Sequence, residues 1–384
     1  MLSPMSLPLV PSTALLLALG VLSLVAAAPS QAIVVGIADQ QAATFADPKL
    51  TALPVAHARL SVAWDAMQYG WQRAEIDQWM RTTTNARMKV VVTFGRSRTR
   101  KYSLPSTSQY RSAARAFMRR YGSVREYSPW NEPNLARNPR NSDPHRIAAY
   151  YRTLRELCQK CMLLGADVVD TSSLGRWMSA YVRVFPPGRA PKIWGLHNYG
   201  DVNSTSRWGT QTMLRLAPGQ IWFTETGAII SRRTPAANSP PDRRKLIRTG
   251  AGRAAAAMSR VFTLAAMSPR ISRVYIYHWR AGGNFAWDSA LLAASGAPRP
   301  SFPVFAHQAR VAVGEADPLP GLEPVVPATP PEPPPPAAPQ EHPPTGSAWL
   351  RCLFRRTPDC AGMPVAGLRY VQRGSPWWTG PQPG

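Results

Sequence analysis

The segment Val124-Arg-Glu-Tyr-Ser-Pro-Trp-Asn-Glu-Pro-Asn134 decides how this sequence is interpreted. It begins as a β-prone stretch and ends in Asn-Glu-Pro, so that a carboxylate is followed by turn chemistry. A second segment, Phe223-Thr-Glu-Thr-Gly227, repeats this arrangement about ninety residues later. Glu132 and Glu225 therefore each close a predicted strand, and a fold that gathers strand ends on one face brings the two carboxylates together.

Short apolar strands alternate with amphipathic helices from residue 33 to about residue 310. The predicted strands are Ile33–Ala38, Ala58–Trp64, Lys89–Phe94, Val124–Trp130, Met162–Val168, Lys192–His197, Ile221–Thr224 and Arg273–Trp279. The predicted helices are Gln72–Ala86, Thr107–Tyr121, Pro144–Gln159 and Asp242–Met267. Eight β/α units in this length predict an α/β fold, a (β/α)₈ TIM barrel over residues 33–312. The alternative is an open doubly wound sheet, but its glycine-rich phosphate turn is missing after the first strand.

The two ends of the chain differ from this pattern. Residues 1–28 contain an apolar run that ends in small residues, which predicts a secretory signal peptide; an uncleaved anchor is the alternative. Residues 315–346 are rich in proline and predict a disordered linker. Residues 347–384 predict a small basic, tryptophan-containing tail, which either binds a surface or carbohydrate, with Cys352 and Cys360 able to close a small loop, or is disordered. We therefore expect a secreted or wall-associated monomer that is free of the membrane after signal cleavage.

Charge and cysteine content narrow the function classes. The net charge is +24, which suits an acidic polymer, although coding bias toward arginine is the simpler explanation. No arginine-rich stretch interleaved with aromatics indicates a nucleic-acid partner.

Cys158 and Cys161 end a helix instead of opening one, so a structural disulfide or two inert thiols are favoured over a redox pair. Neither this pair nor Cys352 and Cys360 has companions at metal-ligand spacing, and we expect neither metal nor cofactor.

Two carboxylates at the ends of different strands are what breaking a glycosidic bond requires. One protonates the leaving oxygen, and the other attacks or stabilises the cationic sugar carbon. The chain resembles the clan A retaining glycoside hydrolases, TIM barrels with a proton donor after strand four and a nucleophile at the end of strand seven. The resemblance covers Ile33 to about Phe305 and is greatest to family 39-like or cellulase-like bacterial members. It implies that Glu132 is the acid/base and Glu225 the nucleophile.

The same resemblance suggests further site residues. Asn131 matches the asparagine that binds the sugar 2-hydroxyl, and Arg59 matches an arginine that pairs with the nucleophile. Trp279 matches the tryptophan beneath the reacting sugar. His197-Asn-Tyr199 resembles the His-X-Tyr whose tyrosine sets the nucleophile. The expected activity is retaining hydrolysis of an oligo- or polysaccharide; the alternatives are a carbohydrate-binding protein without turnover and a wall-associated structural protein.

Two further groups of residues carry weaker expectations. Asp65, Asp167, Asp170 and Asp201 stand near predicted strand ends, where carboxylates are more often caps, so we rank them as substrate contacts at best. Basic residues follow strands three, four and seven and suggest an acidic glycan if they ring the cleft: Arg96, Arg98, Arg100, Lys101, Arg137, Arg140, Arg232 and Arg233.

Overall fold

The computed structural model describes residues 33–100, 104–135, 143–233, 246–248, 250–282 and 287–317. The predicted signal peptide, the tail and its Cys352/Cys360 pair lie outside the described residues, as does nearly all of the predicted linker, and they stay predictions.

Twelve strand segments are present in the described part of the chain. They are β1 (Val34–Ala38), β2 (His57–Ala63), β3 (Lys89–Gly95), β4 (Glu126–Ser128), β5 (Met162–Leu163), β6 (Asp167–Val169), β7 (Ile193–His197), β8 (Gln220–Thr226), β9 (Ser231–Arg233), β10 (Leu246–Arg248), β11 (Ile271–Tyr277) and β12 (Trp287–Asp288). Nine of them form one parallel sheet in the order β5-β4-β3-β2-β1-β11-β8-β7-β6, and β10, β9 and β12 form a small antiparallel sheet.

The large sheet closes on itself through β5 and β6. β5 pairs with β4, and β6 pairs with β7 at the opposite edge of the sheet. Between them, the Leu164 N–H donates to the Tyr127 carbonyl at 2.9 Å and the Gly165 N–H donates to the Ile193 carbonyl at 2.8 Å. β5 and β6 are therefore two parts of one strand position, and eight positions complete the predicted (β/α)₈ barrel, which is confirmed.

Helices lie outside the sheet. They are α1 (Pro48–Thr51), α2 (Gly70–Asn85), α3 (Thr107–Arg120), α4 (Pro144–Leu157), α5 (Leu174–Arg183), α6 (Tyr199–Val202), α7 (Trp208–Leu216), α8 (Ala251–Ala265) and α9 (Ser301–Val311), with 3₁₀ turns at Ala42–Ala46 and Ala66–Gln68. Asp143 caps α4 by accepting from the His145 N–H at 3.0 Å, with Pro144 in the first turn, as the sequence predicts. None of the described helices has the length and apolarity needed to span a membrane.

Two predicted boundaries are wrong for identifiable reasons. β4 ends at Ser128, before the predicted Trp130, because Pro129 has no N–H to donate to the sheet. The helix expected from Asp242 begins at Ala251, directly after Gly250, whose φ of 81° lies outside the helical region. Cys158 and Cys161 form a disulfide in the connection from α4 to β5, one of the two arrangements that the sequence favours.

The apolar core has two layers. The larger layer lies between the sheet and the helices. A small cluster fills the barrel interior: Ala38, Val91, Leu164, Trp222 and Tyr275. Below it the Arg273 guanidinium lies 3.8 Å from the centre of the Trp222 ring and pairs with Glu126 at 2.7 Å. Since Glu126 begins β4, this group closes the end of the barrel where the strands start, and polar side chains occupy the opposite end.

Candidate active site

Glu132 and Glu225 meet at the carboxyl ends of the barrel strands. Glu225 is the sixth residue of β8. Glu132 follows β4, and its N–H donates to the Asp167 carbonyl at 2.7 Å. One oxygen of each carboxylate and one nitrogen of His197 all lie within 4.8 Å of one another. Both glutamate side chains keep some exposure, 21% and 16%, so that a ligand at the barrel mouth can reach them.

The backbone of Glu132 adopts a conformation that is uncommon for its residue type. Its φ is 52°, in the left-handed region that costs a non-glycine residue on the order of 1–3 kcal/mol. The hydrogen bond to Asp167 holds it there, and the neighbouring Asn131 N–H donates to the Phe94 carbonyl at 2.8 Å. The turn after β4 is thus fixed by β3 on one side and β6 on the other.

Arg59 of β2 lies beneath the carboxylates and is fully buried. Its Nη1 donates to Glu225 Oε2 at 2.9 Å, and its Nη2 donates to Asn131 Oδ1 at 2.6 Å. Burial opposes the charge of Arg59, but the nearby carboxylates of Asp167 and Glu225 outweigh burial and hold its pKa above the usual value. The structure therefore brings Arg59 and Asn131 to the positions that the sequence suggests.

Asp167 of β6 lies in this group of side chains fully buried, and not as the substrate contact that the sequence suggests at best. Its Oδ2 accepts from Arg59 Nη2 at 2.7 Å, from Arg59 Nε at 3.2 Å and from the Thr93 hydroxyl at 2.7 Å. Burial alone would raise the pKa of Asp167, yet the Arg59 charge outweighs it and holds the pKa well below the usual range. A carboxylate inside an apolar strand was the available signal, because a buried charge needs a partner.

His197 ends β7 and connects the two carboxylates. Its Nδ1 lies 2.9 Å from Glu132 Oε1 and 3.9 Å from Glu225 Oε2. Burial lowers the pKa of His197, but the charge of Glu225, the Asp167 carboxylate 3.9 Å away and the hydrogen bond to Glu132 outweigh burial and raise the pKa to about 9. Tyr199 at the start of α6 donates its hydroxyl to Glu225 Oε1 at 3.2 Å. Each oxygen of Glu225 thus has a partner.

Trp279 is not placed beside these carboxylates. Its side chain is 1% exposed and packs on Phe302 and Phe305 of α9, in the layer between sheet and helices. The expected sugar platform therefore finds no support at this residue. Tyr277, the last residue of β11, packs against the interior cluster instead. Burial first, then the charge of Glu225, raises the pKa of Tyr277, which places its phenol within electrostatic range of the site.

A second aromatic side chain lies nearby. Trp287 of β12 is partly exposed, and its ring centre lies 4.7 Å from that of Tyr199 in an edge-on contact. Tyr277 and Trp287 are thus two partly exposed aromatic residues near Glu225 in the described part of the chain. Trp287 is near it through Tyr199, which bonds to Glu225. An aromatic face suits the apolar C–H groups of a sugar ring.

The other three carboxylates have structural partners. Asp170 accepts from the Gly200 and Asp201 N–H groups at 3.0 and 2.7 Å, and Asp201 accepts from the Gly209 and Thr210 N–H groups at 3.1 and 2.7 Å. They bind the first turns of α6 and α7, as the capping interpretation predicts. Asp65 accepts from the Ser97 hydroxyl at 2.7 Å and from Arg100 at 3.0 Å.

Two ligand types can be compared with this geometry. Glu132, His197 and Glu225 offer three ligand atoms close enough together for a cation, but the Arg59 guanidinium 2.9 Å from Glu225 opposes a second positive charge there. For an acidic glycan, Arg98 and Arg100 are already engaged in ion pairs with Glu75 and Asp65. Lys101, Arg137 and Arg140 lie outside the described residues, so the acidic-glycan hypothesis stays a prediction.

Comparison with known proteins gives a fold-level likeness. No protein-family model matches the sequence, and no curated protein matches it significantly. Many solved structures match. Xylanase 10B from Thermotoga maritima has a TM-score of 0.52 at 11% identity, over 74% of this chain and 97% of that one. A GH5_18 protein from Streptomyces cattleya, in complex with GlcNAc, has a TM-score of 0.52 at 16% identity, over 75% and 82%.

A family 39 glycoside hydrolase from Bacteroides cellulosilyticus WH2 also matches, at 16% identity with a TM-score of 0.49. The match covers 74% of this chain and spans 64% of that protein's length. At these identities the likeness shows the fold alone. The two structures with TM-scores of 0.52 agree with the barrel that the sequence predicts.

Proposed function

We propose that this chain is an exported retaining glycoside hydrolase that cleaves O-glycosidic bonds in an oligo- or polysaccharide. The observation that carries the proposal is the separation of the carboxylates of Glu132 and Glu225, whose nearest oxygens lie within 4.8 Å across the barrel mouth. Carboxyl groups about 5–5.5 Å apart suit double displacement, whereas inverting enzymes need about 6.5–9.5 Å to admit a water. The spacing therefore supports retention.

In this mechanism Glu132 protonates the leaving oxygen while Glu225 attacks the anomeric carbon. The bond to the leaving group breaks as the glycosyl-enzyme bond forms. A water then gives its proton to Glu132 and its oxygen to the anomeric carbon, which releases Glu225. Arg59 supports these roles because its Nη1 donates to Glu225 Oε2 at 2.9 Å and so orients that carboxylate. These two reaction steps use only the two carboxylates and water, so the proposed mechanism needs no cofactor.

His197 and Tyr199 position the reacting groups in this scheme. His197 bonds to Glu132 and Tyr199 bonds to Glu225, so each carboxylate is oriented by a partner from the β7–α6 connection. His197 also lies 3.9 Å from Glu225 Oε2, so one imidazole is close to both reacting carboxylates. Asn131 precedes Glu132, and its Oδ1 accepts from Arg59 Nη2 at 2.6 Å. We assign it to the sugar 2-hydroxyl, as the resemblance suggests.

The experiment is a screen of the purified chain against plant, fungal and bacterial polysaccharides, followed by two substitutions. We expect Glu225→Gln to lower hydrolysis by at least about a thousandfold while ligand binding remains, because the amide cannot form the covalent intermediate. Glu132→Gln should lower hydrolysis by about 10²–10⁴-fold, and less for aryl glycosides, whose leaving groups need little protonation.

The matched control is Glu156→Gln, an exposed glutamate on α4, which should keep full activity. Turnover in the wild-type chain that survives Glu225→Gln would show that this carboxylate is not the nucleophile. A chain that binds glycans without turnover would instead be the carbohydrate-binding protein considered above.

A further inference from the structure

Basic side chains collect at the end of the barrel where the strands start, opposite Glu132 and Glu225. Each connection from a helix to the next barrel strand lies at this end, because the helices run back along the parallel strands. Four consecutive connections lead into β3, β4, β5 and β7. From the last turn of each helix to the start of the strand, their exposed basic residues are Arg87, Lys89, Arg119, Arg120, Arg125, Arg155, Lys160, Arg183, Arg189 and Lys192.

Few carboxylates oppose these charges. The same four connections hold two acidic residues, Glu126 and Glu156. Glu126 is paired with Arg273 at 2.7 Å, and Glu156 is paired with an arginine of α3. In the described part of the chain, Arg120 is the one of the ten basic residues that has an ion pair, with Asp77. The four connections therefore present a large excess of positive charge to solvent.

Two simple explanations account for only part of this charge. A basic side chain in the last turn of a helix balances the helix dipole, which explains Arg119 and Arg183. Coding bias toward arginine explains no lysine, and the structure describes four lysines. Three of those four, Lys89, Lys160 and Lys192, stand in these connections and outside the helices. Their positions call for another explanation.

His57 is a neighbour that responds to the positive charge at this end. It begins β2 and lies opposite Lys89 in the register of β2 and β3. Burial lowers the pKa of His57 to about 4, and the charges of Arg273 and Lys89 act in the same direction. The same charges that oppose protonation of an imidazole attract anions from solution.

The surface is broad enough for a polymer. Neighbouring strands lie about 4.8 Å apart, so the starts of β3, β4, β5 and β7 extend over roughly 15 Å, and the helix ends lie further out. A small anion contacts one or two of these charges, whereas a chain of repeated anions contacts several connections at once. Because each exposed ion pair contributes little, measurable binding requires several of them together.

The chemistry of this surface favours a polysaccharide over a nucleic acid strand or a membrane. Single-stranded nucleic acid binds through exposed aromatic rings, and membrane-surface segments bury apolar side chains. In the described part of the chain, Met162 is the one large apolar side chain exposed in these connections, and no aromatic ring is exposed there.

We propose that these four connections form a docking surface for an acidic polysaccharide, whose repeated anionic groups pair with the exposed lysines and arginines. The charge alone predicts a polyanion. The choice of a polysaccharide rests on the proposed function, because an exported glycoside hydrolase acts among such polymers. Since this surface lies opposite Glu132 and Glu225, a polymer bound here leaves the mouth of the barrel open.

The test measures binding of the full chain to labelled polygalacturonate at low salt, with uncharged dextran as the reference polymer. The test variant combines Arg119→Gln, Lys160→Gln and Lys192→Gln, one from each of three connections. We expect its affinity for polygalacturonate to fall at least about tenfold, since each basic residue near an anionic surface contributes roughly fivefold. The difference should vanish in about 1 M salt, where charges more than about 3 Å apart are screened.

The matched control combines Arg176→Gln, Arg207→Gln and Arg253→Gln, three exposed arginines at the starts of α5, α7 and α8. These helix starts lie at the mouth end of the barrel. The control loses the same charge and keeps the predicted basic tail, so the comparison isolates where the charge stands. We expect the control to bind polygalacturonate as wild type does.

Three results overturn the docking surface: equal affinity of the two triple variants, no binding of polygalacturonate by wild type, or equal binding of dextran. Tighter binding of duplex DNA or of phosphatidylserine vesicles than of polygalacturonate overturns the choice of a polysaccharide. Hydrolysis is measured separately in the polysaccharide screen. A chain that binds as expected but hydrolyses nothing contradicts the proposed function and leaves the docking surface standing.

Discussion

Arg59 is the residue through which the candidate site is held together. One guanidinium without solvent contact joins β2 to Asp167, Glu225 and Asn131. Two carboxylates face this one guanidinium, and the carboxylates around His197 raise the pKa of its imidazole to about 9 against the opposing effect of burial. Asp167 therefore acts on the carboxylates through Arg59 and His197.

Asp167→Asn tests this balance. The substitution removes a group that raises the pKa of His197, so we expect that pKa to fall from about 9, as measured by NMR titration of the imidazole in the full chain. Removing one partner of a buried pair should also lower the free energy of unfolding by about 3–5 kcal/mol. Activity should fall because Arg59 is no longer held against Glu225.

The control for this variant is Asp143→Asn, a cap on α4. Asparagine caps helices about as well as aspartate, so stability and the His197 titration should not change. An Asp167→Asn protein with the wild-type His197 titration would show that Asp167 only fills space.

At the scale of elements, β6 and β7 lie so close together that position 195 of β7 has no room for a side chain. A Cβ on Gly195 of β7 would lie 2.1 Å from Asp167 Oδ1 and 2.6 Å from the Thr224 hydroxyl. The carboxylate of Asp167 thus occupies the volume that a side chain at position 195 would need. Glycine is required there for close approach, not for a left-handed backbone.

We therefore expect Gly195→Ala to displace Asp167, to lower the free energy of unfolding by about 1–3 kcal/mol and to lower kcat/KM along with it. Gly175→Ala is the matched control, because its Cβ would make an ordinary contact at 3.8 Å with Thr212. That change lies within α5 and should stabilise the protein by about 0.4–1 kcal/mol. Denaturant unfolding of both variants gives the comparison, and a Gly195→Ala protein as stable as wild type contradicts it.

The sequence predicts the strands and helices better than the side-chain hydrogen bonds that join one element to another. All eight barrel strands follow from runs of apolar residues, and Glu132, Glu225, Arg59, His197 and Tyr199 follow from strand ends and the resemblance. Asn134 does not: its side chain donates to the Val169 carbonyl at 2.7 Å and accepts from the Val169 N–H at 2.8 Å, in the manner of a strand. Such pairing depends on neighbours that are distant in sequence.

Trp279 shows the limit of alternation along a strand. Counting every second residue of β11 assigns Trp279 to the mouth, yet its ring lies among the helices and Tyr277 faces the interior cluster. Periodicity holds only while the backbone stays extended, and β11 ends at Tyr277. Placement of the residues just past a strand is a tertiary outcome.

At the scale of the whole molecule, buried ionisable groups determine how stability depends on pH. The pKa of Asp170 is raised to about 7, mainly by burial, and that of His197 to about 9. In both cases the folded state binds protons more tightly than the unfolded state. Their contribution to the free energy of unfolding is present at low pH and is lost as pH rises. The loss falls between about pH 4 and 7 for Asp170 and between about pH 6.5 and 9 for His197.

We expect the free energy of unfolding to fall from pH 6.5 to pH 9, because the contribution of His197 is lost over this interval and that of Asp170 is lost in the same direction up to about pH 7. His197→Asn should flatten this decline, whereas His145→Asn, which changes an exposed histidine on α4, should leave it as in wild type. Urea unfolding at four pH values gives the slope. Stability that rises over this interval would contradict the assigned proton binding.

Arg273, Trp222 and Glu126 fill the end of the barrel where the strands start. Glu132 and Glu225 keep their exposure at the other end. We therefore expect substrate, product and water all to enter and leave on the side of these two carboxylates.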